Sequence, residues 1–336
     1  MIMVVFGHAN TTVTHFDAGN LIFNGGYNIF IQNFIGWGVV RYVLVIFFGT
    51  SGYLFFFNLR WNLREFLVKY KTRTRSLLFP YLFWSIWGLL FCFILQSIPI
   101  AKAFFANELI VNYSLGQILN VVFINPVPYQ LWFLRDLIML VVLSPLIYWI
   151  IRCFKLIPLI LLFVIWLGFF DFDFVILTKD AALFFSFGAY LAITKRNALI
   201  IRRRQKYYLL FTFLWIAALF FKTFYFEHEI LEKVLHKSSV LLGTIAVWSL
   251  YDIFNKKGSS QILYYLSSFS FFIYVFHEPI LTVIKKGLLF IFGSTELIAL
   301  FIYFLTPIIT ISICILFGAF LKRYIPCFYQ LITGGR

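Results

Sequence analysis

What most limits the fold of this chain is a succession of apolar stretches, each close to the length of a membrane-crossing helix. Such a helix needs about 20 mostly apolar residues. Stretches of this kind lie at 39–59, 77–98, 131–151, 156–171, 181–194, 207–222, 239–254, 262–282 and 296–321, and an apolar stub runs from Met1 to Phe6. Of the 336 residues 62% are hydrophobic and only 12% charged, where a soluble domain carries about 25% charge. No soluble core of this length hides so much apolar surface. The expected fold is therefore all-α: a polytopic transmembrane helix bundle of about ten spans, one domain over 1–336. There is no internal repeat and no inverted pair of interrupted helices, the pattern that points to a secondary transporter.

The formal net charge is +15, which in a soluble protein raises nucleic-acid binding. Here its distribution gives a different account, because cytoplasmic loops collect Lys and Arg. Arg60, Arg64, Lys69, Lys71, Arg73 and Arg75 follow the stretch 39–59; Arg152 and Lys155 come next on the same side. They are joined by Lys195, Arg196, Arg202, Arg203, Arg204, Lys206, Lys256, Lys257, Lys322, Arg323 and Arg336. The opposite loops carry Asp171, Asp173, Asp180, Glu227, Glu229 and Glu232, with Lys285 and Lys286 dissenting. This alternation predicts a multi-pass membrane protein with both termini in the cytoplasm, and membrane lipids rather than nucleic acid as partners.

The stub ending at His8 yields about 12 Å of helix, against a hydrocarbon core about 30 Å thick. The segment after His8 is too polar to complete a span, so either the start lies inside a longer reading frame and the first helix is truncated, or a half-helix sits buried against its neighbours. No basic region precedes an apolar run at Met1, so no cleavable signal peptide is expected. Cys92, Cys153, Cys314 and Cys327 form no C-x-x-C pair, which predicts free thiols, no disulfide and no metal site. The 46 Phe, 19 Tyr and 9 Trp read as lipid-facing bulk and interfacial belts, with no cofactor role. The stretch 99–130 is long for an outer loop and is expected to hold a short interfacial or re-entrant helix.

Ionisable groups inside spans are expensive and point to function. His8 suits a general base, since an imidazole titrates near neutrality; a structural histidine bonded to an oxygen is the blander account. His277 and Glu278 lie towards the outer end of 262–282, before Pro279. Adjacent helical residues point about 100° apart, so one can line a cavity while the other pairs elsewhere. Arg135 and Asp136 sit one turn into 131–151: Arg135 is a candidate for a hydroxyl-rich or anionic ligand or for pairing with Glu278, and a structural ion pair is the alternative. Lys69, Lys71, Arg73 and Arg75 suit either lipid headgroups or phosphate oxygens. Gly49, Thr50, Ser51 and Gly52 permit close helix approach or the passage of a narrow acyl or pantetheine arm.

These pieces occur in a recognisable order. His8 comes first, followed by the stretch Phe47, Phe48, Gly49, Thr50, Ser51, Gly52, Tyr53, Leu54. Arg73, Thr74 and Arg75 then precede Phe79, Pro80 and Tyr81. Further on come Leu131, Trp132, Phe133, Leu134, Arg135, Asp136, and finally Tyr274, Val275, Phe276, His277, Glu278, Pro279. Over nearly its whole length the chain resembles the acyltransferase 3 family of bacterial membrane O-acyltransferases. The resemblance implies about ten spans and transfer of an acetyl or other short acyl group from cytosolic acetyl-CoA (acyl-CoA) to a hydroxyl of a cell-surface glycan. It implies that His8 is catalytic and that the basic segment, through Arg73 and Arg75, meets CoA. The family also places a basic residue about ten positions before that histidine, a position this sequence does not contain.

On this resemblance acetyl-CoA is expected as a co-substrate rather than a resident cofactor, its phosphates on Arg73 and Arg75 with Lys71, its arm beside Ser51 and Gly52. His8 takes the hydroxyl proton or relays the acyl group. Arg135 and Tyr274 are candidate oxyanion donors, and Asp136, His277 and Glu278 further candidates for catalysis or substrate binding. A glycan or lipid transporter (a flippase), or an inactive scaffold, is the rival reading.

Overall fold

The computed structural model describes residues 1–16, 19–23, 26–102, 104–105, 108–168, 176–195, 207–225, 227–255 and 261–335. The basic residues at 196–206, 256, 257 and 336, the acids Asp171 and Asp173, and the end of the expected span 156–171 lie outside the described residues.

The main helices are α1 (Ile2–His8), α2 (Tyr27–Phe56), α3 (Leu63–Ser97), α4 (Leu115–Phe123), α5 (Tyr129–Val142), α6 (Ser144–Phe154) and α7 (Ile157–Leu167). They continue with α8 (Lys179–Ile193), α9 (Tyr208–Phe224), α10 (Glu229–Asn255), α11 (Ser270–Phe292), α12 (Glu296–Tyr324) and α13 (Pro326–Ile332). The protein is an all-α membrane helix bundle. Among the described residues α2, α3 and α12 are each long and apolar enough to cross a bilayer, and α5 with α6, bent by 62°, make a fourth if counted as one span. The other expected spans fall on helices that are shorter, as α7, α8 and α9 are, that carry charge, as α10 does, or that are broken, as α11 is.

Two features depart from the sequence expectation. A two-stranded hairpin, β1 (Val13–Phe16) with β2 (Gly19–Ile22), comes after α1, pairing Val13 with Ile22 and Phe16 with Gly19. The basic segment expected as a loop is the first part of α3. Asn62 caps it, its side chain accepting from the Arg64 N–H at 3.0 Å, and Glu65 sits in the first turn near the positive end of the helix dipole. Lys/Arg density reports the side of a membrane, not the conformation. In 99–130 the expected short helix is present as α4, started by a capping box between Ser114 and Gln117.

The chain divides into two compact units: 1–40, 75–135 and 261–336; and 41–74 with 136–260. In the second unit α2 and α8 cross at backbone contact. A Cβ on Gly52 would collide with the carbonyl oxygen of Phe185, and one on Gly188 with that of Gly49. Small residues thus do what they do in membranes generally, bringing backbones together where lipid offers no hydrophobic drive between helices. In the first unit the core is aromatic. Trp84 lies 5.7 Å from Phe272 and 5.5 Å from Phe276, Phe272 lies 5.6 Å from Tyr329, and Phe276 stacks on Phe317 at 5.2 Å. The Trp84 indole donates to the Ile332 carbonyl at 2.9 Å. The aromatic excess therefore cements helices as well as facing lipid. The four cysteines are free thiols, Cys92 and Cys314 buried, Cys153 and Cys327 exposed.

Candidate active site

Four side chains meet in the first unit. His8 ends α1, Tyr129 begins α5, and His277 and Glu278 lie within α11. The Tyr129 hydroxyl is 2.8 Å from His8 Nδ1 and 3.4 Å from Glu278 Oε1. The His8 ring stands edge-on to Tyr129 at 4.9 Å, and 5.4 Å from the ring of His277 at an interplanar angle of 33°. His277 and Glu278 are 0% and 2% exposed while Tyr129 is 46% exposed, so the cluster is closed on one side and reachable on the other.

The position of His8 is set by backbone contacts on both sides of it. Before it, Gly7 faces Gly36 closely enough that a Cβ on Gly36 would stand 3.6 Å from the Gly7 carbonyl oxygen. Gly36 lies in a π-helical stretch, Asn33–Val39, of α2, a distortion frequent near functional sites. Past His8, Thr11 is clamped by Gln32. The Thr11 N–H donates to Gln32 Oε1 at 2.8 Å, Gln32 Nε2 donates to Thr11 Oγ1 at 2.7 Å and to Asn28 Oδ1 at 2.6 Å, and Thr11 Oγ1 donates to the Ala299 carbonyl at 3.1 Å. Thr11, Gln32 and Asn28 are all fully buried, where hydrogen bonds are needed to offset desolvation. Lys285 Nζ adds a bond to the Asn10 carbonyl at 2.8 Å.

Tyr129 is placed by the polar residues of α3. Tyr81 donates to the Phe123 carbonyl at 2.9 Å, and Ser85 to those of Val121 and Val122 at 3.1 and 3.0 Å. Gly88 leaves the space that Pro128 fills. These bonds satisfy carbonyls of the last turn of α4, which have no partners within the helix itself. In α11 the helix is interrupted at Glu278, whose φ of −104° and ψ of 139° are extended. Residues 270–277 and 279–292 are thus two helical segments, with Pro279 at the first position of the second, where its missing N–H costs nothing. The Glu278 carboxylate accepts from Thr282 and Tyr129 and has Lys285 as a neighbouring cation.

The structure thus brings together His8, His277 and Glu278 of the expected residues and assigns others elsewhere. Tyr274 is not poised as an oxyanion donor, because its hydroxyl donates to the Gln130 carbonyl at 2.7 Å. Arg135 reaches the Ile124 carbonyl at 2.9 Å, serving the end of α4; the cation beside Glu278 is Lys285. Asp136 is fully buried in the second unit, where its Oδ2 accepts from the Thr178 N–H at 2.9 Å and Oγ1 at 2.7 Å. Thr178 in turn caps α8, so Asp136 ties α5 to a helix start. Gly52 faces the α8 backbone, which fills the side expected to admit a pantetheine arm; Ser51 beside it is half-buried. On α3, Lys71 and Arg75 are exposed, and Arg73 is half-buried with its guanidinium 5.9 Å from the Phe55 ring centre.

Sequence reading missed Tyr129, Gln32 and the role of Lys285. Only Lys285 left a signal, as a cation on the side where acids dominate. Tyr129→Phe removes the link between His8 and Glu278 while keeping the ring. A hydrogen bond to a charged group contributes about 1.5–3 kcal/mol, so turnover is expected to fall by roughly 10- to 100-fold with little change in KM; steady-state kinetics of the two proteins check this.

A half-accessible imidazole backed by a phenol and a buried carboxylate, inside a helix bundle, suits a membrane-embedded group-transfer enzyme. The chain belongs to the acyltransferase 3 family, whose acyltransferase domain matches residues 1–319. It is 26% identical over 328 residues to the succinoglycan biosynthesis protein ExoH of Rhizobium meliloti (strain 1021), covering 94% of this chain and 85% of that protein. No solved structure matches. The family is one of acyltransferases, which tells against the transporter reading.

Proposed function

We propose that the protein is a multi-pass inner-membrane O-acyltransferase, both termini cytoplasmic, that moves an acetyl or other short acyl group from acyl-CoA to a hydroxyl of a cell-surface polysaccharide. The observation that carries this reading is the line from His8 Nδ1 through the Tyr129 hydroxyl to Glu278. When His8 Nδ1–H donates to Tyr129 and Tyr129 donates to Glu278, His8 Nε2 is the basic nitrogen. Nε2 takes the proton of the sugar hydroxyl as its oxygen bonds to the thioester carbonyl carbon. The C–S bond then breaks, and the imidazolium returns the proton to the leaving thiolate, releasing CoA and the ester. The positive charge that His8 carries in between is stabilised through Tyr129 by Glu278, the orienting logic of a base held by a third group. The polysaccharide acceptor is supported by the likeness to a succinoglycan biosynthesis protein, and the CoA donor by the basic first part of α3.

The test is transfer by the purified protein in lipid nanodiscs, given isotope-labelled short acyl-CoAs, acetyl-CoA first, and the polysaccharide of its host. Label is expected in base-labile ester on the polysaccharide. Glycan movement across vesicles with no acyl-CoA consumed would overturn the reading in favour of transport. Arg73→Ala with Arg75→Ala is expected to raise the KM for acyl-CoA about tenfold or more, the loss of one to two charge-assisted contacts, and to leave the KM for glycan unchanged. Equal KM values in the variant and the parent would remove CoA from this segment.

A further inference from the structure

Beside the base lies a group that this reaction does not use. The His277 ring is 0% exposed, and its Nδ1 lies 2.9 Å from the Ile273 carbonyl oxygen. A carbonyl oxygen only accepts, so Nδ1 carries the hydrogen and Nε2 is left as a bare lone pair. That Nε2 is buried and has no hydrogen-bond partner. A buried acceptor left unmade costs roughly 1–3 kcal/mol, and native structures keep such groups few and meaningful. The ring is nevertheless fixed. It is anchored to its own helix through Ile273, comes directly after Phe276 of the aromatic core, and lies 5.4 Å from the His8 ring.

An acceptor-only nitrogen next to the base calls for a donor that arrives with the substrate. The thioester carbonyl offers none. The amide N–H of the pantetheine arm lies on the side of the leaving sulfur, away from the oxygen whose proton His8 takes. The donor closest to that oxygen is a hydroxyl on the neighbouring carbon of the same sugar. We infer that His277 reads a vicinal diol: His8 takes the proton of one hydroxyl, and His277 Nε2 accepts a hydrogen bond from the hydroxyl next to it, orienting the ring and selecting which oxygen is acylated. This deepens the acyltransferase reading and rests on it. The group that transfers is unchanged, since the second hydroxyl keeps its proton throughout.

The experiment uses the intact protein in nanodiscs, labelled acetyl-CoA, and minimal acceptors that differ by one donor: ethylene glycol, 2-methoxyethanol and ethanol. Water is the competing acceptor, so acetyl-CoA hydrolysis reads the His8 chemistry by itself. The parent protein is expected to form the ethylene glycol ester about tenfold more efficiently than the 2-methoxyethanol ester, the worth of one hydrogen bond of about 1.4 kcal/mol. His277→Phe, which keeps a flat ring in an aromatic surrounding, is expected to abolish that preference, read as the ratio of the two esters so that any change in overall rate cancels. His277→Gln, which returns an acceptor near the Nε2 position, is expected to restore part of it. Equal use of ethylene glycol and 2-methoxyethanol by the parent overturns the inference, as does a preference that survives His277→Phe. A rise in the KM for acetyl-CoA in His277→Phe overturns it too, because it moves the missing donor to the pantetheine arm. Loss of hydrolysis in the parent itself is a different failure, that of the acyltransferase reading beneath.

Discussion

His8→Ala is expected to lower acyl transfer to about a thousandth of the parent rate, the contribution of a well-placed general base, and to do so without unfolding the protein. The second half of that expectation comes from the local structure. The ring of His8 is half-buried and bonds to Tyr129, a residue that α3 and α4 place independently. The backbone of α1 is held by the Gly7–Gly36 approach and by the Thr11 clamp, neither of which needs the imidazole. Thermal unfolding in detergent is expected to match the parent, while label transfer and acyl-CoA hydrolysis are lost together. Turnover equal to the parent in a correctly folded His8→Ala protein would end the assignment of the base.

Gly188→Val is expected to destabilise the second unit strongly. Its Cβ has nowhere to go: the Gly49 carbonyl oxygen, a backbone atom with no rotamer to adopt, already occupies the position. The helices α2 and α8 must separate along their whole crossing, and overpacking with backbone shifts costs typically 1–3 kcal/mol or more. Here both backbones are involved, so a cost of about 3 kcal/mol is expected, a fall of about 10 °C in the unfolding temperature of a unit this size. Gly287→Ala is the matching control, since nothing stands within 4 Å of its added Cβ and the residue lies inside a helix. It is expected to be neutral or stabilising by up to about 1 kcal/mol. Calorimetry or fluorescence unfolding of the two variants checks the contrast, and a Gly188→Val protein that melts with the parent would mean that the two helices do not meet at this crossing.

The membrane class was legible at once, because composition alone rules out a water-facing core. Helix limits were less so, for reasons visible residue by residue. The apolar signal of 39–59 begins after a segment containing Asn28, Gln32 and Asn33, yet α2 starts at Tyr27, since Gln32 bonds both Asn28 and Thr11 inside the protein. Hydropathy counts such residues as wet. The break at Glu278 was equally hidden, since only packing tells whether His277 and Glu278 face the same space. For the candidate site, His8, His277 and Glu278 were readable as costly polar residues in apolar runs. Arg135 and Asp136 looked the same and prove to serve helix ends, because a polar residue in lipid is recruited as readily by an orphan carbonyl or N–H as by a substrate. Tyr129 could not be singled out among 19 tyrosines, having no charge to mark it.

The clamp on Thr11 has one more consequence. Gln32 uses its oxygen and nitrogen on three partners at once, so its amide has a single sensible orientation, and Lys285 secures Asn10 immediately upstream. The segment leaving His8 is therefore bolted to three different helices. A base mounted so stiffly does not travel between reactants; whichever alcohol or water molecule reacts must come to it, and the enzyme's fidelity becomes a question of admission.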